Sequence, residues 1–333
     1  VGANYVRCTM SQREGLDLKP HQRLLDGKFD LEQWNEEYWK RFADCLKWCA
    51  ERDIIMQIEV WDRFDYTDHT ENWKKWKESP WRPVNNVNYS YEQTGFSETY
   101  RDHPNGDKQP FFHTVPGLTH YQKKYDLIRH HQERFVEKML SYSLPFGNVL
   151  YCMNNETASP AEWGRYWIEF INARASEKGV TVCTTDMFDD AYQGDKAKLT
   201  PFVFNDPEHY TFADISQVNS RNFDQVHWDQ LLWNLEQVNK TYPRPCNHTK
   251  IYGSGYTTFG TGGPEDGIER FWRNILGGSA SARFHRPDGG NGLNDFAKAS
   301  IQAARLLEQR IKFWDITPHM ELISDRAPNE AYL

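Results

Sequence analysis

The sequence contains no apolar run of about 18 residues, no CxxC, no HExxH, and no GxGxxG or GxxxxGK-Ser/Thr fingerprint after an expected strand. Each gap removes a class. Without the long run no helical membrane span is expected. Without the metalloprotease motif or another ligand spacing, no metal or cofactor is expected. Basic charge is also short: 39 Lys and Arg against 47 Asp and Glu give a net charge of −8 and leave no basic face for nucleic acid or an anionic membrane. The first residues lack the charged-then-apolar order of a signal peptide. The six cysteines, Cys8, Cys45, Cys49, Cys152, Cys183 and Cys246, read as small core residues rather than disulfides or metal ligands. Aromatics, at 15% with 13 Trp, are abundant. A large core would explain them, and so would platforms for sugar rings.

At 333 residues the chain is long enough for one barrel or two ordinary domains. The stretch Asn148–Glu156 organises it. Val149–Met153 is apolar without alternation, the pattern of a strand buried on both faces of a parallel sheet, and it ends on the carboxylate of Glu156. Ser159, Pro160 and Glu162 then supply an N-cap, a first-turn proline and the distal acid of a capping box for a helix facing inward through Trp163, Tyr166, Trp167, Phe170 and Ile171. A carboxylate where a strand feeds a loop into a helix lies at the catalytic end of an α/β barrel.

The rest of the chain repeats that unit. Strands are expected at Val1–Thr9, Ile54–Val60, Val180–Thr185, Phe212–Gln217, Thr249–Tyr252 and Ser279–Phe284. Helices are expected from an Asp30/Gln33 cap through Cys49, then at Tyr121–Tyr142, Phe223–Val238, Pro264–Leu276 and Asn294–Trp314. The intervening Arg63–Gly117, rich in Asn, Pro, Tyr and Trp, is expected to form a wall over the site. Seven strands, each followed by a helix, imply a parallel sheet closing as a barrel with one unit missing; a doubly wound open sheet is the runner-up.

The residues now in view resemble the clan A glycoside hydrolases, (β/α)8 enzymes that include cellulases and mannanases, in their cellulase-like, polysaccharide-degrading branch. Gly2-Ala-Asn-Tyr-Val-Arg7 is like the second barrel strand of that group, Asn155-Glu156 like the end of the fourth, and Trp163–Phe170 like the helix after it. The resemblance implies a (β/α)8 TIM barrel over residues 1–315 whose first strand and helix lie upstream of Val1. It also implies a C-terminal extension, 316–333, that opens an appended β-sandwich, so a fragment of a longer protein is expected. Export to a secreted or periplasmic location, and a polysaccharide or oligosaccharide as partner, are inferred from the same resemblance. The oligomeric state stays open.

In the family the glutamate of Asn-Glu is the general acid/base and the preceding asparagine binds the sugar 2-hydroxyl, which maps those roles to Glu156 and Asn155. The chemistry asks for a neutral acid paired with a second carboxylate. The family's nucleophile ends the seventh strand, where Lys250-Ile-Tyr-Gly-Ser-Gly255 has no acid. Three readings follow: Asp186, Glu59 or Asp62 at other strand ends serves instead; Glu265 or Asp266 reaches back from the glycine-rich loop; or the barrel only binds glycans. Further binding candidates are Arg7, Trp61, Asp62, Asn219, Tyr252, His285 and Arg286, the last two suited to an acidic or sulfated sugar. Trp73, Trp76 and Trp81 join Trp61 as candidate platforms. His130-His131 reads as helix surface or core. The loop Gly253–Gly263 could imitate a phosphate cradle, so a barrel acting on a phosphorylated metabolite is a further option.

Overall fold

The computed structural model describes residues 1–12, 17–102, 109–189, 200–219, 224–253, 262–287 and 292–326. They fall into two compact units: an N-terminal unit, Arg7–Phe188, and a C-terminal unit made of Asp189–Leu333 with Val1–Val6. Among the described residues no helix is long and apolar enough to cross a membrane.

The N-terminal unit takes Arg7–Thr9 of β1 (Tyr5–Thr9), a hairpin of β2 (His21–Arg23) and β3 (Phe29–Trp34), then α1 (Glu36–Ala50), β4 (Ile55–Asp62), α2 (Asp126–Ser143), β5 (Val149–Asn155), α3 (Ala161–Glu177) and β6 (Cys183–Thr185). The sheet order is β1–β4–β5–β6, with β4/β5 and β5/β6 parallel. The register Met56↔Val149 through Asp62↔Asn155 brings two polar strand ends side by side. Pairing of Cys152 with Thr185 puts Asp186 one residue beyond the third. Thus the alternation of strand and helix gathers Asp62, Asn155, Glu156 and Asp186 at one end of one sheet, as a parallel barrel sheet requires.

Two helix caps differ from expectation. Asp30 does not cap α1: its carboxylate accepts from Glu32 N and Gln33 Nε2 within the hairpin and from Asn88 Nδ2 outside it, and Asn35 is the cap, accepting from Glu37 N. Ser159 does not cap α3 either, because its hydroxyl pairs with Thr157 Oγ1 and Pro160 takes the cap position without a side-chain bond. The helical faces otherwise follow the spacing, with Trp39, Phe42, Leu46 and Cys49 buried on α1 and Trp163, Trp167, Ile168 and Ile171 on α3.

The stretch Arg63–Gly117 is core as much as wall. A 3-10 turn (Arg63–Tyr66) and short helical turns at Lys75–Glu78 and Tyr91–Thr94 punctuate it, and Tyr66, Trp76, Trp81, Tyr89, Phe96, Tyr100, Phe111 and Phe112 are all buried. Aromatic pairs such as Tyr66–Phe111 at 3.9 Å and Trp61–Trp167 at 5.2 Å add about 0.5–1.5 kcal/mol each beyond area burial. That accounts for much of the tryptophan content.

The C-terminal unit holds α4 (Thr200–Asn205), β7 (Ala213–Asp214), a 3-10 turn (Ser216–Asn219), α5 (Asp224–Thr241), β8 (Cys246–Ile251), α6 (Pro264–Leu276), β9 (Ser281–Phe284) and α7 (Asp295–Leu307). Its sheet is β7–β8–β9, parallel throughout. Ile251, Phe271, Phe284 and Ala297 form its apolar cluster. The final helix stops at Leu307 rather than Trp314, and beyond it Trp314 and Leu322 are exposed. The expected sandwich strand at 329–333 and most of the loop 253–263 lie outside the described residues. All six cysteines are free; Cys183 is exposed, against the core reading.

Candidate functional site

The strand ends of the N-terminal unit carry the polar residues singled out above, and their burial separates them. Glu59 on β4 is fully buried: Arg7 Nε lies 3.0 Å from its Oε1 and Thr9 Oγ1 donates to its Oε2. Arg7 is thus the partner of a buried ion pair. Glu59 thus stands, with no exposed surface, as the counter-ion of Arg7.

Asp186 is held in a related way. Its carboxylate is fully buried, accepts from Asn154 Nδ2 at 3.0 and 2.9 Å and from Met187 N at 2.8 Å, and lies against α3 so closely that a Cβ on Gly164 would sit 2.2 Å from Oδ2. The Asp186 carboxylate is thus packed against α3. Trp61 goes the same way: it is 2% exposed, inside a cluster of Trp81, Phe111, Phe135, Trp163 and Trp167, and Trp76 and Trp81 are equally buried. Of the four proposed platforms only Trp73 is part-exposed, its indole N–H donating to Phe64 O.

Glu156 differs from these acids. Its side chain is 18% exposed, and Arg63 Nη2 stands 3.5 Å from its Oε2. Its φ is 53°, in the left-handed region that glutamate rarely occupies, at a cost of about 1–3 kcal/mol. Both neighbours fix that conformation. Asn155 Nδ2 donates to Asp62 Oδ1 at 3.3 Å, and Thr157 N donates to Met187 O at 3.0 Å while Thr157 Oγ1 meets Ser159 Oγ. Asp62 also accepts from Phe64 N, capping the turn that carries Arg63. The structure therefore gathers Asp62, Arg63, Asn155 and Glu156 around adjoining strand ends. Arg63, Asn154 and Thr9 were not anticipated. For Arg63 the signal was present, since it directly follows the expected strand end at Trp61-Asp62.

The C-terminal unit brings together Tyr252 and His285, whose rings meet edge to face at 5.0 Å, with Arg283 Nη1 3.5 Å from His285 Nδ1. Arg286 follows with φ 53° and is half-buried. Asn219 ends the 3-10 turn after β7, and its side chain lies outside the described residues. The strand β8 has no acid: Asn247, His248, Thr249 and Lys250 are all buried, and Lys250 Nζ donates to Gln217 Oε1 at 3.2 Å. Glu265 and Asp266 open α6, and Asp266 is tied by Arg270 Nε at 2.5 Å, which leaves it a structural partner on its own helix.

Solved structures with the same fold include a candidate glycoside hydrolase from Bacteroides vulgatus ATCC 8482, matched at TM-score 0.54 and 12% identity over 92% of this chain and 52% of that one. A glycoside hydrolase family 5 protein from the same organism matches at TM-score 0.51 and 12% identity, over 97% of this chain and 65% of that one. The chain thus spans less than two thirds of the length of either. At such identity the likeness establishes the fold alone, the α/β architecture of TIM-barrel glycoside hydrolases, although among the described residues the strands form separate sheets and not a closed barrel. No curated protein sequence matches the chain. Residues 20–203, more than half of the 333, match the family model described as a domain of unknown function, DUF6298, and the chain belongs to that family.

Proposed function

We propose that the protein hydrolyses glycosidic bonds in a polysaccharide or oligosaccharide, with Glu156 as general acid/base and Asp62 as the second carboxylate. The observation that carries this reading is the strained, part-exposed Glu156 at the end of β5, held in its left-handed conformation from both sides. Strain fixed by surrounding structure is concentrated at working sites. Asp62, buried like Glu59 and Asp186 at 2% exposure, is taken ahead of them because it adjoins Asn155, the neighbour of Glu156, at the same strand end.

A second reading, a barrel that binds glycans without cleaving them, is favoured by one observation: β8 presents buried Lys250 and no acid where the resemblance places the nucleophile. One experiment separates the two. Neutral and anionic polysaccharides are incubated with the protein, with Glu156→Gln and with Asp62→Asn, and both reducing ends and binding are measured. Loss of a general acid lowers kcat by about 10²–10⁴-fold, so that drop in Glu156→Gln, with binding kept, is expected. Binding by the native protein with no released ends would establish the second reading.

A further inference from the structure

Away from those strand ends, the β2–β3 hairpin lies against the start of α2. Arg134 fastens the two: its Nη2 donates to Glu32 O at 3.1 Å and its Nε lies 3.1 Å from Glu32 Oε2. The other carboxylate oxygen, Oε1, faces two imidazoles, with His131 Nδ1 at 3.0 Å and His130 Nε2 at 3.5 Å. All three donor atoms lie within 4.8 Å of one another. Neighbouring ligands of a tetrahedral zinc, each about 2.0–2.2 Å from the metal, stand roughly 3.4 Å apart. Two of the three separations already bracket that value.

A second observation separates this cluster from an ordinary ion pair. The His131 side chain is 4% exposed, and its Nδ1 is buried and makes no hydrogen bond despite lying 3.0 Å from the carboxylate oxygen. Distance without hydrogen-bond alignment is what two ligands of a common cation show. Packing of the His131 ring on Tyr89, at 5.7 Å, holds the nitrogen there. On the outer side Glu32 and His130 are 41% and 56% exposed, which provides an entry path and room for a water as fourth ligand.

We propose that Glu32, His130 and His131 form a binding site for a divalent transition cation of the zinc type, suited to imidazole and carboxylate donors. The adjacent histidines carry no ligand spacing in the sequence, because the third ligand comes from the hairpin. Arg134 orients Glu32 through Oε2 and also opposes a cation close by, so the site is an open, exchangeable one rather than a structural zinc core.

The test is calorimetric titration of the chelator-treated full chain with Zn²⁺. One equivalent binds to the native protein, and His130→Ala and Glu32→Gln each weaken binding by at least about tenfold, while in His130→Ala, at an exposed position outside the Arg134–Glu32 pair, the thermal midpoint without metal stays unchanged. Absence of Zn²⁺ uptake by the native chain, or equal uptake by both ligand variants, overturns the proposal.

Discussion

Arg7 and Glu59 lie on adjacent strands with both side chains buried, and the energetics of such a pair follow from the cost of taking charges out of water. Intact, a buried pair adds little net stability; stripped of one partner, it leaves a charge that water cannot reach, at about 3–5 kcal/mol. Arg7→Met is expected to lower unfolding free energy in urea by that amount, and much of the loss should be recovered when Glu59→Gln is added. A near-neutral effect on stability with a large fall in turnover would return Glu59 to the chemistry. At this scale the sequence displayed the right residue types at the right strand ends. It could not show which acids were already occupied, because Asn154, Thr9 and Arg7 reach them only through the register of the sheet.

Elements were legible where hydrophobic period and chain direction agreed. The helix Pro264–Leu276 has its expected limits, and β5 runs only two residues beyond the apolar run that announced it. The β2–β3 hairpin was missed although Asp26-Gly27 marked its turn, with Gly27 at φ 85°, because Asp30 and Gln33 imitate a helix cap. A quieter mark is Gly164 within α3. In an exposed helix, replacing glycine with alanine gains about 1 kcal/mol. Here the added methyl would stand 2.2 Å from Asp186 Oδ2 and 3.8 Å from Asn154 Nδ2. Gly164→Ala is therefore expected to destabilise by about 1–3 kcal/mol, the usual cost of overpacking. Adding Asp186→Ala would test the cause: if the methyl costs as much without the carboxylate, the close approach of Asp186 to α3 is not what the glycine serves.

Over the whole molecule the same burial that silences several polar groups also sets how the protein responds to acid. Burial pushes His21 and His248 down to about 3 and His113 down to about 4, and carries His227 well below its ordinary value. Their rings are at most 7% exposed, and Arg270 beside His248 and His120 beside His113 reinforce the shift. In the unfolded chain these imidazoles take up protons near pH 6.5. Between about pH 6.5 and 4 the unfolded state consequently binds more protons than the folded one, and stability falls as pH falls. Above that window the histidines contribute no pH dependence. Each contributes at most about 1.4 kcal/mol per pH unit. Urea midpoints are therefore expected to hold steady from pH 8 to 7 and to drop steeply from 6.5 to 4.5, and His21→Phe, which keeps a ring among Trp34, Trp81 and Phe135, should make the drop shallower. A midpoint that stays flat through pH 5 would mean that the buried rings are protonated in the folded protein or hydrated there, and the neutral core described above would be wrong.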